Sequence, residues 1–156
     1  IADFKRQKRY RLMWMDTKYE SGTVKVVAYN EKGDAVAEKE IHTAGKPDHI
    51  ELVADRNEIK ADGKDLSFVT VRVVDKEGNL CPDAQHLIKY AVKGAGTYRA
   101  GANGDPTSLE LFHVPQMKVF NGMMTAVVQS TDKPGEITLT ATGKGLKSGR
   151  LVLMSK

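Results

Sequence analysis

Apolar and polar residues alternate with a period of two along most of this chain, and no long helical stripe interrupts them. The alternation predicts strands over 11–16, 23–30, 35–43, 49–55, 66–75, 86–92, 97–101, 123–131, 135–142 and 149–154. In the run 135–142, Ile137, Leu139 and Ala141 fall on one face and Thr138, Thr140 and Thr142 on the other. Val69, Val71 and Val73 form a similar inward row. Turn formers separate the runs about every 8–12 residues, the spacing of an antiparallel sandwich rather than of a βαβ fold. Pro134-Gly135 and Ala61-Asp62-Gly63-Lys64 are among these breaks.

One phrase occurs twice. Val24-Lys25-Val26-Val27-Ala28-Tyr29-Asn30-Glu31-Lys32-Gly33-Asp34 returns as Val69-Thr70-Val71-Arg72-Val73-Val74-Asp75-Lys76-Glu77-Gly78-Asn79. Each copy is a strand running into a polar turn whose glycine can take positive φ. The copies flank Ala44-Gly45-Lys46-Pro47, which predicts two β-units in series, 1–45 and 46–156. The second is close to the ~100 residues and seven strands of an immunoglobulin-like sandwich. The first has only three strands, near the ~40-residue floor for independent folding. It reads as the end of a sandwich whose opening strands are missing, so the chain is expected to be a piece of a larger protein. The predicted fold class is therefore all-β: an immunoglobulin-like antiparallel β-sandwich preceded by a partial second sandwich unit. The apolar face around Trp14, Val26 and Tyr29 is expected to dock on the second unit or to self-associate through 11–30. Residues 94–122 are the least regular stretch. They predict a long crossing loop, turned at Asn103-Gly104 and folded back onto the sandwich by Leu109, Leu111, Phe112 and Val114.

Composition changes this picture little. Of 156 residues, 40% are hydrophobic and 28% charged, as in ordinary globular proteins. No apolar run approaches the ~18 residues of a membrane span. The net charge of +4 traces to Lys5, Arg6, Lys8, Arg9 and Arg11; beyond residue 11 basic and acidic residues balance. A nucleic-acid partner is thus not expected, because such binders spread basic residues over a folded face. With Cys81 as the single cysteine there is no internal disulfide, and a buried thiol is the expectation.

Reactive constellations are sought and not found. Gly94-Ala95-Gly96 meets Arg99 where a dinucleotide fingerprint needs glycine, and Gly143-Lys144-Gly145 meets Ser148. His42, His49, His86 and His113 lack ligand spacing. Asp62 and Asp65 flank Lys64 without a full calcium loop, so an Asx turn is expected there. No catalytic residue, metal or cofactor is assigned. Glycoside hydrolysis needs two carboxylates ~5–10 Å apart across a cleft, and the acidic residues here fall mostly in turns. The one binding constellation worth carrying forward is a carbohydrate contact formed by Tyr98, Asn103, Asp105 and Phe112 in the irregular region.

Several stretches carry a resemblance. Arg11-Leu12-Met13-Trp14-Met15, Tyr19 through Tyr29, and Thr43-Ala44-Gly45-Lys46-Pro47 resemble the end of the β-sandwich that follows the catalytic barrel in bacterial β-galactosidases of glycoside hydrolase family 2. Ile59 through Val71 is similar to the opening of their C-terminal immunoglobulin-like domain. Gly101 through Ser108, with Phe120-Asn121-Gly122, is similar to that domain's later loop. The Asp-Gly turn before a valine-rich strand also resembles invasin-type repeats. The family's acid/base and nucleophile glutamates belong to the barrel, and no position here corresponds to them. The resemblance implies a non-catalytic, structural accessory module of a glycoside hydrolase, partnered by the enzyme's upstream catalytic and sandwich domains, in the periplasm or outside the cell. The alternatives are a carbohydrate-binding module and an adhesion-type immunoglobulin-like repeat.

Overall fold

A computed structural model describes Trp14 and residues 17–156. These divide into two compact units, one ending at Thr43 and the other running from Ala44 to Lys156. No helix occurs among the described residues. The strand expected over 11–16 lies outside them, apart from Trp14.

The first unit contains a two-stranded antiparallel hairpin, β1 (Thr23–Tyr29) and β2 (Ala35–His42). Its register puts Val24 opposite Ile41, Val26 opposite Lys39 and Ala28 opposite Ala37, so that face is mostly apolar. Lys25, Glu38, Glu40 and His42 occupy the other face, where Lys25 pairs with Glu38 at 3.0 Å. Val24 and Ile41 on this face are 60% and 64% exposed.

The second unit is a two-layer sandwich. Its strands are β3 (His49–Ala54), β4 (Glu58–Ile59), β5 (Leu66–Val74), β6 (Leu87–Gly94), β7 (Gly96–Ala102), β8 (Gln116–Lys118), β9 (Met123–Ser130), β10 (Gly135–Gly143) and β11 (Gly149–Ser155). One sheet has the order β3-β5-β9-β7, the other β4-β11-β10-β6-β8. All pairs are antiparallel except β4 with β11, which is parallel. The exception follows from connectivity. The first strand of the unit leaves one sheet after Ala54 and re-enters the other at Glu58, arriving beside the last strand in the same direction.

The core sits between the layers, where the two inward rows meet. Val69, Val71, Val73, Ala126 and Val128 come from one sheet and Ile88, Ile137, Leu139, Ala141 and Leu153 from the other, all at most 1% exposed. Period-two alternation is what makes both rows possible, since each strand turns every second side chain inward. β4 and β8, of two and three residues, are too short to show that alternation, so the sequence does not announce them.

The repeated phrase makes the same turn twice. In the first copy Asn30 Oδ1 accepts the Lys32 and Asp34 amides, and Asn30 Nδ2 donates to Asp34 Oδ2. In the second, Asp75 Oδ1 accepts the Glu77 and Asn79 amides, and Asn79 Nδ2 donates to Asp75 Oδ2. Amide and carboxylate have exchanged ends while the hydrogen bonds are kept. Gly33 (φ 88°) and Gly78 (φ 86°) hold the matching left-handed positions, where a side chain would be strained.

Candidate functional site

The loop between β7 and β8 and the strand ends around it form the most featured surface of the sandwich. Asn103 Oδ1 accepts the Asp105 amide at 3.1 Å, while its Nδ2 donates to the Lys118 carbonyl at 3.0 Å. Asp105 Oδ1 accepts both the Thr107 amide (2.8 Å) and the Thr107 hydroxyl (2.7 Å). These bonds favour the ionised form and hold the Asp105 carboxyl below its ordinary value. The Glu110 carboxylate accepts the Lys118 amide through both oxygens, at 3.1 and 3.2 Å. The loop is thus pinned to β8 by side chains that reach backbone partners, the usual device of Asx-type turns.

Between these groups lies an open groove of about 370 Å³. Asn103, Asp105, Ser108 and Glu110 line one side, and Gln85, Lys118 and Phe120 the other. Such a wall offers carboxylate and amide acceptors, an ammonium donor and one aromatic ring. On the side of Asn103, Asp105, Ser108 and Glu110 the acceptors are already held by bonds to the backbone, so they need little further ordering to meet a hydroxyl-bearing ligand.

Of the four residues singled out in the sequence, Asn103 and Asp105 meet in this groove. Tyr98 and Phe112 are not among its lining residues. The Tyr98 ring stacks on Tyr90 at 5.6 Å and 12°, and its hydroxyl donates to the Phe112 carbonyl at 3.3 Å. Burial pushes the Tyr98 hydroxyl's pKa upward, and that of Tyr90 still further. The Tyr90 hydroxyl in turn donates to Met124 Sδ at 2.8 Å. Alternation from Gly96 puts Tyr98, opposite the buried Val128, on the inner face, and the register shift after it brings Gly101 onto that same face beneath the Tyr98 hydroxyl. The Phe112 side chain is 62% exposed. Glu110 and Lys118 are not read from the sequence as site residues; β8, which carries Lys118, is too short to alternate, and Glu110 joins it only through the bond to the Lys118 amide.

The expected fold-back of the 94–122 loop through its apolar residues is corrected by the structure. Leu109, Leu111 and Phe112 are 95%, 61% and 62% exposed. Polar pinning shapes the loop instead, which leaves those side chains pointing outward.

Elsewhere the carboxylates serve the fold. Asp75 is 2% exposed and accepts the Gly45 amide at 2.7 Å besides its turn bonds. Those bonds, led by Gly45, hold it down to about 2. Asp62 Oδ1 accepts the Lys64 and Asp65 amides, and Asp65 accepts from Lys60 N and pairs with Arg56 at 2.8 Å. Both are likewise lowered, chiefly by backbone amides. Among the described residues no three Asp, Glu, His or Cys side chains converge as metal ligands would. Cys81 is buried and free, and burial raises its thiol's pKa. Gly94-Ala95-Gly96 joins β6 to β7 and Gly143-Lys144-Gly145 opens the turn to β11, so each bends one strand into the next.

The comparisons with known proteins agree with this architecture. Residues 50–152 match the family described as glycoside hydrolase family 2 C-terminal domain 5, and residues 2–37 match a domain of unknown function, DUF4982. The chain is 50% identical over 139 residues to the β-galactosidase BoGH2A of Bacteroides ovatus, covering 89% of this chain and 16% of the relative. A solved glycosyl hydrolase family 2 member from Bacteroides cellulosilyticus superimposes with a TM-score of 0.83 at 35% identity, over 90% of this chain and 18% of that one. A β-glycosidase from Bacteroides vulgatus gives 0.84 at 25% identity, over 87% and 18%. The chain thus spans about a sixth of the length of these proteins. Its sandwich core, strand series and sequence match converge, and the chain belongs to the glycoside hydrolase family 2 C-terminal domain 5 family.

Proposed function

We infer that this chain is a non-catalytic accessory region of a β-galactosidase-type glycoside hydrolase, supporting an upstream catalytic domain. The observation that carries this reading is the sandwich interior. It is filled by aliphatic side chains, and its buried carboxylate, Asp75, is saturated with hydrogen bonds and held ionised. A glycosidase acid needs the opposite, a carboxyl whose pKa is pushed up in an apolar pocket facing a second carboxylate. The hairpin β1–β2 supports the same reading. Its one-sided apolar face is what a second sheet covers in a complete sandwich, consistent with the closing strands of a preceding domain. The decisive comparison uses a chromogenic galactoside. The isolated chain is expected to give no turnover, while an enzyme truncated before Ala44 keeps its chemistry but loses thermal stability. Turnover by the chain, abolished by changing one of its own acidic residues, would refute the reading.

A second reading is favoured by the groove. The fixed polar wall of Asn103, Asp105 and Glu110 facing Phe120 suits a sugar, so the module would also hold carbohydrate near the enzyme. Titration with galactose-containing oligosaccharides should then shift the amide signals of 103–110 and 118–120. Unchanged spectra at millimolar ligand would end this second reading and leave the first intact.

A further inference from the structure

The outward-pointing loop tip is the least accounted-for feature of the sandwich. Loop tips are normally polar, yet three of the four residues Leu109-Glu110-Leu111-Phe112 are large, apolar and mostly exposed, Leu109 at 95%. The one polar member, Glu110, turns away to clamp the Lys118 amide. The backbone that carries them is held on both sides. The Phe112 carbonyl accepts from the Gly101 amide at 2.8 Å and from the Tyr98 hydroxyl at 3.3 Å. The Val114 amide donates to the Leu111 carbonyl at 3.2 Å, and the Ser108 amide to the Asp105 carbonyl at 3.2 Å. Apolar groups displayed on a restrained loop bind with little ordering cost, which is the signature of a preorganised contact.

We propose that Leu109, Leu111 and Phe112 form a plug that seats in an apolar recess on another domain of the same glycoside hydrolase polypeptide. The size of the patch selects this occupant over a second copy of the chain. Three side chains bury on the order of 400 Å² on this side, about 800 Å² counting both faces, below the roughly 1,200 Å² total at which freely diffusing partners form stable specific interfaces. Within one polypeptide the second domain is present at an effective concentration of about millimolar, and a contact this small then suffices. The chain covers only 16% of its Bacteroides ovatus relative, so most of such a polypeptide is available to supply the recess. The proposal rests on the accessory reading above.

Hydrogen exchange tests it. Amides of 106–114 are expected to exchange at least about tenfold more slowly in the full-length enzyme than in the isolated chain. The triple variant Leu109→Ser, Leu111→Ser, Phe112→Ser should abolish that difference. Because the three side chains touch little of the sandwich, the same variant should leave the melting temperature of the isolated chain unchanged, which separates undocking from misfolding. Equal exchange in the two wild-type contexts overturns the proposal. So does an isolated chain that is dimeric by light scattering and becomes monomeric in the triple variant, since the occupant is then a second copy. If truncation before Ala44 destabilises the enzyme while the triple variant does not, the plug fails and the accessory reading stands. If the isolated chain hydrolyses galactosides, it is the accessory reading that fails.

Discussion

Asp75 shows how one residue comes to hold a chain segment in place. Its counterpart in the first unit, Asn30, stabilises only its own turn, whereas Asp75 has a second oxygen free to accept from Gly45 thirty residues away. A neutral amide at 75 would turn a donor toward donors, so Asp75→Asn is expected to lower the melting temperature although the turn itself tolerates asparagine. The exchange Asp75→Asn with Asn79→Asp should restore the internal turn bonds while still losing the Gly45 contact, recovering only part of the loss. Acid should act on the same group. Its pKa is about 2 when folded and near 4 when unfolded, so folding is favoured above pH 4 and that contribution disappears as pH falls toward 2. A melting curve of wild type against Asp75→Asn between pH 5 and 2 should show the two converging in acid. Gly122 is a second single-residue constraint. With Asn121 (φ 50°) it forms a two-residue turn at φ 73°, and a Cβ there would run into the Cys81 carbonyl. Gly122→Ala is expected to cost about 3 kcal/mol in urea unfolding, against about 1 kcal/mol for Gly104→Ala, where φ 77° strains a side chain but nothing lies within reach.

At the scale of elements, stability lies in the facing rows. Leu139 in β10 is fully buried at the centre of its sheet, and Leu139→Ala should destabilise by about 2–5 kcal/mol in chemical denaturation. Thr140→Ala, on the outer face of the same strand, should change stability by less than about 1 kcal/mol. The strands were legible for the same reason. Val69, Val71 and Val73 alternate over a length sufficient to fix both element and inward face, and the structure buries all three completely. What stayed hidden were contacts without periodicity. β4 and β8 each hold too few residues to alternate, and Glu110, Lys118 and Phe120 become groove neighbours only because β8 pairs with β6. The 94–122 loop was misjudged because apolar residues in a loop ordinarily signal burial. Here carboxylates and amides caught the backbone first and left Leu109 outside.

At the scale of the whole molecule, family membership was readable from stretches of strand and turn, and the function proposed for the chain follows from what its interior is made of. Asn103 and Asp105 were placed correctly in one loop by turn chemistry, because Asn-Gly and Asp-Pro pairs mark tight bends regardless of what surrounds them. That Tyr98 would stack on Tyr90 instead depends on which strand of the other sheet lies across from β7, which no local pattern records.

The parallel pairing of β4 with β11 bears on how the sandwich responds to force. The Met154 amide donates to Asn57, the Lys156 amide to Ile59 and the Ala61 amide to Lys156, so the unit's second strand and its last lie side by side, pointing the same way. Pulling β4 from its start and β11 from its end loads all three bonds together in shear, whereas an antiparallel pair would open one bond at a time like a zip. A stretched polypeptide should therefore give way elsewhere before this clasp slips.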